Sequence, residues 1–464
     1  MTGDVEQAAS VEEVSRRLER YARTKDPAAM WPGVTETARA SAAREVERVT
    51  RAVIAGETDI RIDPHGTHDN YALAIAGHAT GMAPMLGYWI ERGTVTASTA
   101  NAQRFALYLD HARRRNTRMT RDVAPALDAF AAHDIPTVVL KGFHTAHAYF
   151  PEPGTRRMAD VDLLVSPNRI GDAEAALRDA GFRAGGAALR PYKRNWIPPT
   201  VDLRVFSLEL PDERNPWTIE LHASLDRVFH PGTVARLDAE RDHLERQEIA
   251  GRSLLVLGQP LLLLTLACHC SQELDGSRLL RLFEMVQVVR TDGAESRLDW
   301  DEVVAMVKRT RVARFTYPAF ALVDALSPGT VDPRVLAIGR RDSTWAARHT
   351  VARLVPAGAS IDHRGVVRQI MWVRGPIAVA QRLLRFLWPA AFTSPRGVGS
   401  GWRARLRRMR DGALSLRAPD ERSATTTPAR PDPYRPIPSA THHAEPRETP
   451  PGHDRESPPR RTVR

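Results

Sequence analysis

Asp160 and Asp162 flank a single valine at the head of the apolar run Leu163-Leu164-Val165. A short aliphatic run of this kind reads as a buried strand. Successive side chains of a strand alternate between its faces. The spacing therefore predicts two carboxylates side by side on one face. Like charges so placed repel unless a cation lies between them. A divalent ion such as Mg²⁺, which takes a few carboxylate oxygens together with phosphate and water, meets that need.

The pattern around this pair divides the chain of 464 residues. Residues 1–124 read as a helical N-terminal region, with helical spacing over Ser41 to Ala55 and Ala100 to Ala124. Pro125 is expected to kink or restart the helix, because it lacks an N–H and crowds the preceding turn. The period then changes. Ile135 to Leu140, Met158 to Val165, Val201 to Leu210 and Trp217 to Leu221 read as strands, with helices over Phe143 to Phe150 and Asn168 to Ala180. Gly181 is placed to close the second of these. Residues 125–250 thus form a unit with a small mixed sheet. Residues 251–411 read as a helical C-terminal domain that includes Leu261 to Gln272, Leu279 to Arg290 and Asp301 to Arg311. Eleven of the 34 prolines lie beyond residue 412, where apolar residues are few, so residues 412–464 are expected to be a disordered Pro- and Arg-rich tail. The fold class is α+β, a mixed-sheet core flanked by helical regions.

Two cysteines, Cys268 and Cys270, exclude a disulfide framework. Flanking His269 on a helix, they point in different directions, which disfavours zinc. The polar, acidic start shows no signal peptide, and no apolar run reaches the roughly 18 residues of a membrane span, so a cytoplasmic protein is expected. The net charge of +11 invites a nucleic-acid partner. That partner is not favoured. Lysine occurs only at positions 25, 141, 193 and 308, an arginine skew that fits a GC-rich genome, and aromatics are only 6%.

Three segments carry chemistry together. Leu140-Lys141-Gly142 ends a strand; the glycine permits close backbone approach, the following helix offers N–H groups to phosphate, and Lys141 adds a point charge. Asp160-Val161-Asp162 is the metal-holding pair. Glu220, in Ile219-Glu220-Leu221-His222, is a third carboxylate, with Asp202 as its rival. His222 shares a strand face with Glu220 and either orients a carboxylate, touches substrate or is a hydrogen-bonded structural histidine. Arg156 is placed to bind phosphate or neutralise the carboxylates. His144 and His147 lie three apart on one helix without further ligands for zinc.

This order resembles the nucleotidyltransferase superfamily, with the fold of DNA polymerase β and the aminoglycoside nucleotidyltransferases. More closely, it is similar to the uncharacterised nucleotidyltransferase family of bacteria, through Leu140-Lys141-Gly142, Arg156, Asp160 to Val165, Gly181-Phe182 and Glu220-Leu221-His222, over about residues 125 to 290. The resemblance implies Mg²⁺-dependent transfer of a nucleoside monophosphate from a nucleoside triphosphate (NTP) to an acceptor hydroxyl. Asp160, Asp162 and Glu220 would hold metal, and Lys141, Gly142, Arg156 and His222 would contact the nucleotide. It also places His269 and Glu284 along the cleft. The acceptor, a small molecule, protein or RNA, is left open. The wider superfamily opens its phosphate-binding helix with Gly-Ser or Gly-Gly, whereas Phe143 follows Gly142 here. That departure keeps one alternative, a catalytically silent nucleotide- or partner-binding module, and the basic charge is consistent with another, a toxin-like modifier of protein or tRNA. The basic, amphipathic stretch 369–392 is read as packing on the core before a membrane surface.

Overall fold

The computed structural model describes residues 33–63, 70–185, 193–203, 213–230, 233–238, 241–274, 278–357 and 370–387, with scattered positions beside them. The expected tail lies outside the described residues. The N-terminal part is helical. Helix α1 (Glu36–Ala55) starts on the Thr35 hydroxyl, which accepts from Ala38 N, and ends on Gly56 at φ +75°. Helices α2 (Asn70–Thr80) and α3 (Ala83–Glu91) follow, with a two-residue parallel pair of β1 (Ile60–Arg61) and β2 (Val95–Thr96) beside them.

Helix α4 (Thr99–Ala132) runs through Pro125 without a break, contrary to the expected restart. The proline removes one backbone hydrogen bond. The stripe Met119, Val123, Ala126, Leu127 and Phe130 is buried on both sides of it, and this packing carries the helix across the gap.

The sheet has seven strands in the order β10-β11-β3-β4-β7-β6-β5. These are β3 (Thr137–Val139), β4 (Asp160–Val165), β5 (Arg183–Ala184), β6 (Lys193–Ile197), β7 (Thr218–His222), β10 (Leu244–Ile249) and β11 (Arg252–Leu257). Two more, β8 (Arg227–His230) and β9 (Thr233–Ala235), pair with each other. Parallel and antiparallel pairings mix. The β10–β11 hairpin turns at Ala250 and Gly251, so both arms belong to the same sheet.

Of the strand expected over Val201 to Leu210, only the first three residues are described. Residues 201–203 lie in no strand, and residues 204–210 fall outside the described residues. The strand beside β7 is instead β6. Its sequence, Lys193-Arg194-Asn195-Trp196-Ile197, opens with three polar residues, Lys193 and Asn195 on the polar face of the sheet and Arg194 on the other face paired with Glu174, so hydrophobic pattern alone conceals it.

One sheet face is apolar. Val161, Leu163 and Val165 of β4, Ile219 and Leu221 of β7 and Trp196 of β6 pack with Val123 and Phe130 of α4 and with Ala173 and Leu177 of α6 (Ile170–Asp179). Gly181, at φ +84°, follows α6 as expected. A second apolar cluster joins the N-terminal helices to α7 (Leu261–Gln272), α8 (Arg278–Ala294), α9 (Trp300–Thr310), α10 (Ala313–Leu326) and α11 (Pro333–Asp342). The short α12 (Trp345–Val351) and α13 (Pro376–Leu387) complete the helices among the described residues. Trp372, from the stretch read as amphipathic, packs on Phe229 and Phe315. Among the described residues no helix is long and apolar enough to cross a membrane.

Candidate active site

Strands β4 and β7 are parallel neighbours, and their register sets Asp160 against Thr218, Asp162 against Glu220 and Leu164 against His222. Directly opposed residues share a face, and alternation puts Asp160 and His222 on that face too. Antiparallel β6 adds Asn195 opposite Glu220 and Lys193 opposite His222. The polar face of the sheet therefore gathers Asp160, Asp162, Glu220, His222, Lys193 and Asn195. The rival Asp202 is exposed and outside the sheet.

Arg115 of α4 stabilises this register. It is buried and donates to the carbonyls of Met158, at the entry to β4, and of Asn215 and Pro216, at the entry to β7.

Asp162 is the centre of the cluster. Lys141 Nζ lies 2.5 Å from its Oδ2, and His222 Nε2 lies 2.8 Å from its Oδ1. An ionised carboxylate only accepts, so His222 Nε2 carries the proton of this bond. The same nitrogen lies 3.8 Å from Glu220 Oε2, and Lys193 forms an ion pair with Glu220. Asp162, Glu220 and His222 offer ligand atoms all within 4.8 Å of one another. Of the roles open to His222, the one seen is a bond to a carboxylate, and Asp160 stands outside this close group of three.

The charges interact strongly. Burial, followed by the negative charges of Glu220 and Asp162, pushes the Asp160 carboxyl up to about 6. Burial also acts to raise Asp162, but the Lys141 ammonium and the His222 bond outweigh it and hold that carboxyl well below its usual range. Glu220 lies below its ordinary value because His222 and Lys193 outweigh burial.

Gly142 closes the other side of the site. Its φ of +81° favours glycine, and a Cβ there would lie 3.6 Å from Arg156 Nη1 and 4.0 Å from Asp162 Oδ2. Helix α5 (Phe143–Ala148) follows. Its first N–H groups are already bonded: Gly142 N to Thr145 Oγ1, Phe143 N to Lys141 O and His144 N to Leu140 O. Phe143 is buried in the apolar cluster, where the superfamily pattern would place a serine or glycine. Thr145 supplies a hydroxyl one turn later, bonded also to Glu284.

Arg156 donates to Glu284 of α8 through Nε at 2.9 Å and Nη2 at 3.0 Å. Glu284 therefore borders the site, as expected. His269, expected along the same cleft, lies 3.6 Å from Glu273. His144 bonds Gln247 and His147 bonds the Phe143 carbonyl. Cys268 is buried, and burial pushes its thiol up to about 12.

Lys193, Thr145 and Arg115 escaped motif reading. Lys193 had one available signal, its rarity as a lysine. Thr145 and Arg115 had none, since their partners are distant in sequence.

A family model described as an uncharacterised nucleotidyltransferase matches residues 67–328, from α2 through the whole sheet to α10. The chain belongs to this nucleotidyltransferase family. The match extends beyond the 125–290 of the motif pattern on both sides. No curated protein matches. Among solved structures, the solution structure of the antibiotic-resistance factor ANT(2'')-Ia is similar at 16% identity, covering 43% of this chain and 95% of that one, with a TM-score of 0.30.

Proposed function

We propose that the chain transfers a nucleoside monophosphate from an NTP to an acceptor hydroxyl, using Mg²⁺. The observation that carries this reading is the register of Asp162 with Glu220, with Asp160 on the same face. Three carboxylates are gathered there in a member of a nucleotidyltransferase family. The donor set suits Mg²⁺, which favours oxygen. Asp160, Asp162 and Glu220 would hold the ion, with His222 orienting Asp162 through its Nε2–H. When bound, the ion neutralises triphosphate charge and stabilises the leaving oxygen.

The chain's own groups do the rest. Lys141 supplies positive charge to phosphate beside Gly142. Arg156, fixed by Glu284, adds a second cation next to that glycine. A site carboxylate takes the acceptor's proton as its oxygen bonds to the α-phosphorus. The bond from the α-phosphorus to the bridging oxygen breaks, and pyrophosphate leaves.

One observation favours a second reading, a nucleotide-binding module without turnover. The N–H groups of Gly142, Phe143 and His144, at the start of α5, are engaged within the chain. One experiment separates the two. The protein is incubated with each α-labelled NTP and Mg²⁺, beside Asp160→Asn and Asp162→Asn. Metal-dependent label transfer by the wild type alone supports the enzyme and identifies the acceptor class. NTP binding without pyrophosphate release supports the silent module.

A further inference from the structure

Lys193 lies outside every motif, yet it is paired with Glu220 as Lys141 is paired with Asp162. We propose that Lys141 and Lys193 are exchangeable counter-ions. They neutralise Asp162 and Glu220 in the ligand-free protein, and pass to the phosphates of an incoming triphosphate once a divalent cation engages those carboxylates. The proposal rests on the nucleotidyl-transfer reading and adds Lys193 to the phosphate-binding groups.

The charges match. Two ammonium groups on two carboxylates are replaced by one divalent ion without changing the charge of the cluster. The choice of residue also matches. The chain has 66 lysines and arginines, and lysine stands at only four positions, two of them on these carboxylates. The nearby buried clamp is an arginine instead, Arg156 on Glu284 through two hydrogen bonds. A guanidinium fork fixes a carboxylate in place, whereas an ammonium on a flexible stem is a point charge that can change partners. Access differs in the direction required: the Lys193 side chain is 21% exposed and Glu220 beneath it 8%. Phosphate also needs side-chain cations here, because the N–H groups opening α5 are already bonded.

The lysines thus compete with metal for the carboxylates and cooperate with it on the triphosphate. Equilibrium dialysis of the full chain against Mn²⁺ alone, and against Mn²⁺ with inorganic tripolyphosphate, separates these effects without turnover or base preference. Lys193→Met is expected to bind Mn²⁺ alone at least about fivefold more tightly and Mn²⁺–tripolyphosphate at least about fivefold more weakly. Lys141→Met is expected to shift in the same two directions. Lys193→Arg, which keeps the charge on a rigid fork, is expected to bind Mn²⁺ alone more weakly than wild type. Unchanged or weaker Mn²⁺ binding by Lys193→Met, or undiminished tripolyphosphate binding, overturns the exchange. Absence of Mn²⁺ binding to the wild type under both conditions overturns the exchange together with the metal-dependent reading. The expected shifts without label transfer from any NTP leave the exchange standing and overturn catalysis alone.

Discussion

Arg156 and Glu284 lie 128 positions apart in the chain and are joined by two parallel hydrogen bonds in a buried setting. The pair ties the segment leading into β4 to helix α8. Glu284 also accepts from Thr145, so one carboxylate holds the entry to β4 and the helix after Gly142. Glu284→Gln leaves the guanidinium without its charge partner. Breaking one side of a buried pair costs about 3–5 kcal/mol. Denaturant unfolding is expected to show a loss of that order, with circular dichroism unchanged in native buffer. A loss within about 0.5 kcal/mol would show that the pair does not hold the two parts together.

Asp162 bears two partners and Asp202 stands outside the sheet. On the proposed function, Asp162→Asn lowers label transfer by about a thousandfold, the equivalent of several kcal/mol of lost charge stabilisation. Asp202→Asn leaves transfer within about twofold. Equal losses in both variants would show that Asp202 takes part in the site.

Gly142→Ala tests backbone rather than space. The added Cβ meets nothing closer than 3.6 Å, but the residue sits at φ +81°. Stability is expected to fall by about 1–3 kcal/mol, because φ +81° with ψ −84° is a γ-turn backbone, closed by the bond from Phe143 N to the Lys141 carbonyl, that side chains rarely adopt. A drop well beyond this, measured by thermal melting, would mean that the site does not tolerate even ordinary contact with Arg156.

Two histidines, the buried His144 and the half-buried His78, set an acid limit. Burial lowers His144 to about 4, against smaller raising contributions from Gln247 and Glu284, and burial with the Arg157 charge holds His78 well below its ordinary value. In the unfolded chain both take up a proton near pH 6.5. The unfolded state therefore binds more protons below that pH, and stability falls as pH drops from about 6.5 toward 4. For His144 the loss is about 2–4 kcal/mol, and it levels off below pH 4. His144→Gln is expected to flatten the melting temperature over this window relative to wild type. An unaltered pH profile would place the acid sensitivity elsewhere.

Local pattern was enough to find β4, β7, α6 and α7, because each carries its own period and its own stop signal. Asp160, Asp162 and Gly142 were legible for the same reason: strand alternation and a strand-end glycine are properties of a few consecutive residues, whereas Glu220 was set above Asp202 mainly by the family resemblance. Strand β6 was not legible. Its Lys193 and Asn195 face charged partners, so the apolar alternation that marks a strand is absent from half of it.

The sequence by itself determined which segments could carry carboxylates on one face and which helices could cover the sheet. Only the tertiary structure decided that Asp162 stands opposite Glu220, that Lys193 pairs with Glu220, that His222 bonds Asp162, and that Arg156 is held by Glu284. The physical reason is that strand register depends on the packing of distant apolar residues and on anchors such as Arg115. A slip of one residue in β4, β6 or β7 would turn its Asp162, Lys193, Glu220 or His222 to the opposite face.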